Sequence, residues 1–116
     1  GAFLNCRGLV EIVMPSALES IGDQAFASCT NLTTVSLSEN ILEIGRQIFY
    51  GCVKLETVSV AAAQPPLTGD SIFLDTNEDF EIIFESEEQR GAYLENAVWS
   101  DYDSHFTVKD EEQNNE

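Results

Sequence analysis

Five apolar positions recur with a period of 23 over residues 1–60 of this 116-residue chain. Each position is filled three times, which gives the columns Phe3, Phe26 and Phe49; Cys6, Cys29 and Cys52; Leu9, Leu32 and Leu55; Ile12, Val35 and Val58; and Met14, Leu37 and Val60. A fixed period of about 20 to 50 residues is typical of repeat proteins, in which single units cannot bury their own apolar side and therefore stack. The period predicts three stacked repeats over residues 1–60, the first of them incomplete at its N-terminal side.

Each repeat contains a pattern typical of a half-buried strand. In the second repeat, Val35 and Leu37 alternate with the polar residues Thr34 and Ser36. Alternation with a period of two places one set of side chains in the core and the other set in solvent. Because the copies stack in the same orientation, we expect short parallel strands on one face of the array.

The segment before each full strand carries turn signals. Gly22 and Gly45 occupy equivalent positions and suit a turn. Asp23 is placed to cap a helical turn that would bury Phe26 and Cys29 on one side. The sequence therefore predicts helical turns on the face opposite the strands.

One run carries a more specific pattern: Ile21-Gly22-x-x-Ala25-Phe26-x-x-Cys29-x-x-Leu32-x-x-Val35-x-Leu37. It resembles the repeat of the BspA-like leucine-rich-repeat family, which is common in surface and secreted proteins of bacteria. The resemblance covers residues 2–60, with small departures at Ile48, Ser38, Val60 and Ala61. It implies an α/β repeat fold, namely a leucine-rich-repeat solenoid with short parallel strands on one face, helical turns on the other and a C-terminal capping helix.

A degenerate fourth repeat is predicted over residues 61–85. Residues 61–70 are rich in small and turn-forming side chains, which interrupt the pattern. Beyond them, apolar residues return 24 positions after their counterparts in the third repeat, at Phe73, Ile82 and Phe84. Thr76 and Asp79 stand where the pattern has cysteine and leucine.

A C-terminal cap is predicted over residues 86–106. Ser86 followed by Gln89 forms a capping-box pattern, and acidic residues in the first turn suit the start of a helix. This helix would carry the apolar residues Ala92, Tyr93, Leu94 and Ala97. Residues 107–116 are polar, and we expect them to form an acidic tail that frays.

Trp99 and Tyr102 allow two interpretations. Their rings could form a platform on which a sugar stacks. The last unit of a repeat array also leaves an apolar face that large aromatic side chains cover well. The residues around them resemble the C-terminal ending of bacterial members of the BspA-like family, which favours the cap.

The charge is strongly negative and unevenly distributed. The chain has 21 acidic and 5 basic residues, a net charge of −16, and residues 65–116 hold 15 acidic and 2 basic residues, or −13 of that total. Nucleic acid is not an expected partner, because phosphate binding needs clusters of Lys and Arg. No apolar run approaches the length that crosses a bilayer, so membrane insertion is not expected either.

The three evenly spaced cysteines could indicate a metal site or disulfides. Metal-binding thiols usually come as pairs separated by two to four residues, whereas Cys6, Cys29 and Cys52 each stand alone in a repeat. Stacking would place them in one internal column, where a thiol acts as a small apolar group. We expect buried, reduced thiols and no metal site.

Catalysis is not expected from this sequence. His105 is the only histidine, so a nucleophile would have a single possible base. It lies beside Phe106 at the edge of the predicted cap, away from the cysteine column. No nucleophile-elbow, zinc-protease or phosphate-loop motif occurs, and no cofactor is predicted.

The segment Asp75–Asp79 matches the first, third and fifth positions of a calcium loop. The match then fails, because Phe80 replaces the glycine and Ser86 replaces the closing glutamate. Weak calcium binding by the surrounding acidic residues remains an open alternative.

The outward side of the predicted strands is the candidate binding face. It consists of two columns, the first being Glu11, Thr34, Thr57 and Glu81 and the second Val13, Ser36, Ser59 and Ile83. Strand faces of repeat arrays commonly hold partners. This one is rich in hydroxyl groups and has no aromatic side chain, which suits a polar protein contact.

Two functions fit these features. By resemblance, the chain is a non-catalytic protein-binding or adhesion module of a surface-exposed or secreted bacterial protein, with a host or matrix protein as partner. Alternatively, it is a structural spacer or terminal cap of a longer array with no ligand of its own. In the sequence as given no repeat precedes the first one, and we expect either self-association through this N-terminal edge or a loosely packed first repeat.

Overall fold

Residues 6–109 contain eight short strands in two parallel sheets. The structure, a computed structural model, describes residues 6–109. Its strands are β1 (Glu11–Val13), β2 (Ser20–Ile21), β3 (Thr34–Leu37), β4 (Glu43–Ile44), β5 (Thr57–Val60), β6 (Leu67–Thr68), β7 (Glu81–Phe84) and β8 (Phe106–Val108). The larger sheet has the order β1-β3-β5-β7-β8 and the smaller sheet has the order β2-β4-β6. An α-helix, α1 (Glu87–Leu94), and a 3-10 helix (Trp99–His105) precede β8.

The columns predicted from the period pair directly in the larger sheet. Val35 lies opposite Ile12 on one side and Val58 on the other, and Val58 pairs with Ile82. Val35, Val58 and Ile82 are fully buried. The parallel strands are therefore present, their pairing continues from β5 to β7 at a spacing of 24 residues, and the architecture fits an α/β repeat fold.

Each strand of the smaller sheet follows a strand of the larger sheet along the chain. Its strands have two residues each, and Ile21 and Ile44 point into the core. Neighbouring strands pair Ser20 with Glu43 and Glu43 with Leu67. Each repeat is therefore joined to the next by backbone hydrogen bonds at two places along its length.

A third set of backbone bonds joins the repeats on the side opposite the larger sheet. The Phe26 N–H donates to Ile48 O at 3.0 Å, and the N–H groups of Gln24 and Ser28 donate to the same neighbouring repeat. The N–H groups of the alternate residues Ala25, Ala27 and Cys29 donate instead to the carbonyl oxygen three residues earlier in the same turn segment. The backbone thus alternates between closing a turn and bonding to the next repeat.

This alternation corrects the prediction of helical turns. Within residues 6–86 the segments before the main strands are successions of tight turns, and two positions in each turn segment have a left-handed backbone. These positions are Gln24 and Ser28, Gln47 and Gly51, and Ser71 and Asp75. The predicted capping residue Asp23 accepts at its Oδ1 from the Arg46 N–H of the next repeat at 2.9 Å.

A ladder of phenylalanines runs through the core beside the turns. The rings of Phe26 and Phe49 stack at 5.9 Å between centroids, and those of Phe49 and Phe73 at 5.7 Å. Phe73 then meets the edges of Trp99 and Tyr102. The ladder therefore ends against the C-terminal aromatic residues.

Helix α1 begins at the predicted capping residue. Ser86 Oγ accepts from the Gln89 N–H at 3.1 Å. In a capping box the Gln89 side chain would accept from the N–H of Ser86. Instead, its Oε1 accepts from the Glu85 N–H at 2.6 Å. Its Nε2 donates to the third repeat, at Val60 O and Ala62 O. The Tyr93 hydroxyl also donates to Ala62 O, at 2.9 Å.

The chain returns to the larger sheet after the 3-10 helix. Phe106 pairs with Ile82 and Val108 with Phe84, so the interval between the third and fourth repeats occurs once more. Strand β8 thus continues past residue 106, where the predicted cap ends, and Thr107 and Val108 lie in a strand instead of the fraying tail predicted from residue 107. The rest of that predicted tail, from residue 110, lies outside the described residues.

Candidate functional site: the outward strand face

The eight residues predicted for binding form two straight rows on the larger sheet. The register places Glu11, Thr34, Thr57 and Glu81 side by side, and likewise Val13, Ser36, Ser59 and Ile83. We call these two rows the strand face. Adjacent positions in a row are separated by the spacing of neighbouring strands, about 4.8 Å. The strand face is therefore one continuous surface.

Hydroxyl groups fill the middle of the strand face, and they differ in their bonding. Thr34 Oγ1 lies 3.4 Å from Thr33 Oγ1, which itself donates to Val10 O at 3.1 Å. The hydroxyls of Ser36 and Ser59 have no hydrogen-bond partner among residues 6–109, although both residues are half-buried. These two serines are available to bond a ligand.

A shallow groove follows the second row at the carboxyl ends of the strands. Its volume is about 190 Å³, and it is lined by Ser36, Leu37, Ser59, Val60, Ala61, Ile83, Glu85 and Lys109. Ile83 supplies apolar surface beside the two serines. The groove is of a size to receive one or two side chains of a partner.

Strand β8 extends the strand face by one position that sequence reasoning missed. Thr107 pairs with Ile83 and is exposed, so it adds a hydroxyl to the row of Ser36 and Ser59. The signal was present in the sequence, because Phe106 and Val108 follow Ile82 and Phe84 at the same interval that separates the third and fourth repeats. The two helices between β7 and β8 interrupt the repeat pattern, so this spacing was not recognised from the sequence.

Charged groups border the groove without pairing to one another. The Lys109 N–H donates to Phe84 O at 2.6 Å, which places residue 109 beside Glu85. Among the ion pairs of residues 6–109, Arg46 with Asp70 and Arg90 with Glu87, neither Lys109 nor Glu85 takes part. Both charges can therefore reach a partner.

The cysteines lie in the core as predicted, except the first. Cys29 and Cys52 are fully buried, whereas Cys6 is half-buried, and all three are reduced thiols. Cys52 Sγ donates to Phe26 O at 3.1 Å. Burial raises the pKa of the Cys52 thiol to about 11 and also raises the pKa of Cys29. Such thiols are poor nucleophiles.

His105 is held by the fourth repeat. Its ring stacks on Phe80 at 4.0 Å between centroids, and its Nδ1 lies 2.9 Å from Phe80 O. Because a carbonyl oxygen only accepts, Nδ1 carries the proton in this contact. The imidazole thus packs the 3-10 helix against the repeats, apart from the strand face.

Trp99 cannot serve as a sugar platform. Its side chain is 0% exposed, and its Nε1 donates to Thr68 Oγ1 at 2.9 Å. Its ring also meets the edge of Tyr93 at 5.0 Å. Tyr93 is likewise buried, whereas Tyr102 is half-buried and packs against the edge of Phe73.

The acidic segment Asp75–Asp79 is a turn. The Asp79 N–H donates to Asn77 Oδ1 at 3.0 Å, so one oxygen of this partial match to a calcium loop is bonded to the backbone. Within the part of the chain that the structure describes, no three His, Cys, Asp or Glu side chains are grouped as metal ligands. The segment is exposed and lies outside the strand face.

Comparison with known proteins agrees with the repeat pattern. The family model described as "BspA type Leucine rich repeat region (6 copies)" matches residues 1–90, more than three quarters of the chain. The chain belongs to this BspA-type family. Its repeats are commonly protein-binding or surface-associated modules, and the family is typically non-catalytic. No curated protein and no solved structure matched the chain.

The family is typically found at the cell surface or secreted. Among the described residues of this BspA-type chain, no helix has the length and apolar character of a membrane span.

Proposed function

We propose that this BspA-type chain is a non-catalytic adhesion module that binds a host or matrix protein through its strand face, as part of a surface-exposed or secreted bacterial protein. One observation carries the proposal. The half-buried serines Ser36 and Ser59 lie side by side over a groove, and their hydroxyls have no partner among residues 6–109. Among residues 6–109 no side-chain N or O atom that is cut off from solvent lacks a partner, so both hydroxyls contact solvent, and a ligand can replace that water with direct hydrogen bonds.

The composition of the strand face indicates a polar partner surface. Hydroxyl groups of Thr34, Thr57 and the two serines occupy its centre, while Val13 and Ile83 flank the serines in the second row. Such a face can bond main-chain groups of a partner and bury one small apolar contact on each side of the serines. Interfaces of this kind include trapped water and gain specificity from hydrogen bonds.

The same proposal assigns a supporting role to the C-terminal section. We take the stacked repeats as part of a leucine-rich-repeat solenoid and α1 as its capping helix. Gln89 and Tyr93 support this role, because both side chains donate to carbonyl groups at or just after the end of the third repeat's strand. Carbonyls at the end of a stacked array otherwise face solvent or lose their partners.

A charge insertion on the strand face tests the proposal. The double variant Thr34→Lys with Ser36→Lys should lose at least about tenfold in affinity, or about 1.4 kcal/mol, for a protein that the wild-type chain binds. Binding would be measured by biolayer interferometry against a panel of purified extracellular matrix proteins. The matched control is Val53→Lys with Leu74→Lys, which adds the same charge at exposed positions outside the strand face.

The spacer function predicts a different result. A spacer or terminal cap would show no binding on the panel, and the strand-face variant would behave as the control does. Equal loss of binding by both double variants would indicate a general charge effect and would contradict a strand-face contact. Thermal melting of each variant shows whether the fold is intact.

Salt dependence separates a strand-face contact from one made by the acidic half. A contact through residues 65–116, which carry −13 of the net charge, should weaken steeply as ionic strength rises. A contact dominated by hydroxyl groups should change little. A steep loss of affinity between about 50 and about 300 mM salt would indicate that the partner binds the acidic half and not the serines.

A further inference from the structure

The backbone pairing between β5 and β7 changes at the carboxyl ends of the two strands. At their start, Glu81 N–H donates directly to Glu56 O at 2.8 Å. Donors recur at every second residue of a parallel strand, so Glu85 N–H is placed to donate to Val60 O. The side chain of Gln89 stands between these two groups instead. Its Oε1 accepts from Glu85 N–H at 2.6 Å, and its Nε2 donates to Val60 O at 2.7 Å.

The Gln89 amide therefore holds the ends of β5 and β7 apart. It replaces one direct N–H···O contact, about 2.9 Å long in an ordinary ladder, by two hydrogen bonds with an amide group between them. One strand pair earlier, Ala61 N–H donates directly to Leu37 O at 3.4 Å. A gap thus lies between Val60 and Glu85, and both residues line the groove of the strand face.

The smallest side chain of a third outward row stands at this gap. Side chains two positions apart on a strand share a face, so a third row follows the two rows of the strand face. It consists of Pro15, Ser38, Ala61, Glu85 and Lys109. Ala61 has the smallest side chain of the five and lines the groove. A larger residue at this position would fill the groove.

The groove is bordered by one charge of each sign. Glu85 and Lys109 are exposed neighbours in the third row, and neither takes part in the ion pairs among residues 6–109. A carboxylate only accepts hydrogen bonds and an ammonium group only donates them, whereas the Ser59 hydroxyl does both. Ile83 adds apolar surface beside them. An uncharged group that donates at one atom and accepts at another complements this lining.

We propose that the groove binds one carboxamide side chain of the partner protein, an asparagine or a glutamine. Its NH₂ group donates to Glu85, its carbonyl oxygen accepts from Lys109, and its methylene groups lie on Ala61 and Ile83. An acidic side chain would be repelled by Glu85 and a basic one by Lys109. This inference rests on the strand-face function proposed above and names the partner group that the groove selects.

A carboxamide suits the groove better than a hydroxyl group does. A hydroxyl donates and accepts at a single oxygen, whereas a carboxamide separates its donor from its acceptor. Glu85 and Lys109 lie on neighbouring strands whose backbones are about 4.8 Å apart, so two separate atoms reach both groups. A neutral occupant also agrees with the weak salt dependence expected of a strand-face contact.

Solution NMR of the whole chain tests the proposal with small probes. The ¹³C-labelled δ1 methyl group of Ile83 should shift on titration with N-acetyl-glutamine methylamide, with a Kd on the order of 10 mM. N-acetyl-glutamate methylamide is the matched control, because it has the same shape and carries a carboxylate. It should bind at least about fivefold more weakly, since Glu85 repels it. N-acetyl-norleucine methylamide keeps the apolar stem and should also bind more weakly.

Substitutions in the groove test where the glutamine probe binds. Ala61→Leu fills the groove and should weaken binding at least about tenfold. Ala63→Leu makes the same change at an exposed alanine that does not line the groove, and it should bind as the wild type does. Glu85→Gln and Lys109→Gln should each weaken binding about threefold. These two residues are exposed, so both variants keep the test valid if Ala61→Leu does not fold.

The same pair of leucine variants extends the test to proteins. For a matrix protein that the wild-type chain binds, Ala61→Leu should lose at least about tenfold in affinity and Ala63→Leu should lose none. A matrix protein that binds both variants equally well would show that its contact with the chain does not use the groove.

Three outcomes with the probes would overturn the carboxamide assignment. Equal affinities for the glutamine and glutamate probes would remove its chemical basis. A shift of Ile83 that Ala61→Leu leaves intact would place the probe elsewhere. No shift with any probe up to about 100 mM would show that the groove takes no side chain, or that residues 110–116 lie over it.

Failure of the adhesion function gives a different pattern. A chain that binds the glutamine probe and no matrix protein would keep the groove assignment and overturn adhesion. A chain that binds a matrix protein, loses it in the Thr34 and Ser36 double variant and ignores the glutamine probe would keep the strand-face function and overturn the carboxamide site.

Discussion

Gly45 marks a close approach between the second and third repeats. A Cβ at this position would lie 2.5 Å from the backbone nitrogen of Asp23 and 2.6 Å from the carbonyl carbon of Gly22. Both atoms belong to backbone and cannot move aside as a flexible side chain can. Gly45→Ala should therefore lower the free energy of unfolding by about 2 kcal/mol or more, measured by urea unfolding.

Gly22 provides the matched control for this prediction. It occupies the equivalent position one repeat earlier, yet a Cβ there meets no heavy atom within 4 Å among the described residues. Gly22→Ala should leave stability unchanged or raise it slightly, because alanine restricts the unfolded chain. Similar losses from both substitutions would contradict the argument from close approach.

The cysteine column leads to a prediction about reactivity. Burial raises the pKa of the Cys52 thiol from its ordinary value of 9.0 to about 11, so its thiolate fraction at neutral pH falls about 100-fold. Cys6 is half-buried and should react first with a thiol reagent in the folded protein, with Cys29 and Cys52 following only on unfolding. Mass spectrometry of timed labelling would locate each modified residue.

Unfolding in urea supplies the control, since all three thiols should then react at similar rates. Rapid labelling of Cys52 in the folded protein would contradict its place in the core. The predicted rate at Cys52 also rises with pH up to about 11, because the thiolate is the reacting form.

At the scale of elements, the docking of α1 depends on Gln89. Its Nε2 donates to Val60 O at 2.7 Å and to Ala62 O at 2.9 Å, and the residue is only 6% exposed. In Gln89→Glu, an ionised carboxylate would face these two carbonyl oxygens. Burial and the lone pairs of the carbonyls should raise the pKa of the new carboxyl well above the ordinary value of about 4.3.

The sign of the pH effect follows from that raised pKa. The protonated carboxyl can still donate one hydrogen bond, so Gln89→Glu should be close to wild type below about pH 4. Stability should fall as pH rises through the folded-state pKa, with a loss of about 3 kcal/mol at pH 7. Gln89→Leu should lose stability at every pH, and an equal pH profile for the two variants would exclude the ionisation mechanism.

The elements differ in how far the sequence predicts them. Val35 and Leu37 alternate with polar residues, so their strand and its register follow from the period. The two-residue strands Ser20–Ile21 and Glu43–Ile44 are too short to show alternation, and the smaller sheet was not predicted. The left-handed turn positions were not predicted, because glycine is the usual signal for such a backbone. Of the six positions only Gly51 is a glycine.

The strand face was more predictable than the groove beside it. Once the strands have a fixed register, their outward residues must form rows, and this argument needs no atomic detail. The groove depends on Glu85 and Lys109, which lie on opposite sides of the two helices in the sequence and which β8 brings together. The cap predicted from the sequence ends at residue 106, so Lys109 was not expected beside the serines.

For the whole molecule, the net charge of −16 should oppose folding. Two like charges about 10 Å apart repel by about 0.4 kcal/mol in water, and residues 65–116 hold 15 acidic residues against 2 basic ones. Raising NaCl from about 10 mM to about 300 mM shortens the screening length from about 30 Å to less than about 8 Å. The melting temperature should rise by about 4 °C or more, the equivalent of about 1 kcal/mol.

A charge-reduced variant tests whether repulsion causes this rise. Glu95→Gln, Asp101→Asn and Asp103→Asn remove three exposed charges that form no ion pair among residues 6–109. The triple variant should melt higher than wild type in low salt and gain less from added NaCl, because fewer like charges remain to be screened. Replacing NaCl by sucrose separates screening from solvent exclusion, since sucrose favours burial without screening charge. An equal gain from NaCl in both proteins would show that the acidic half does not destabilise the fold.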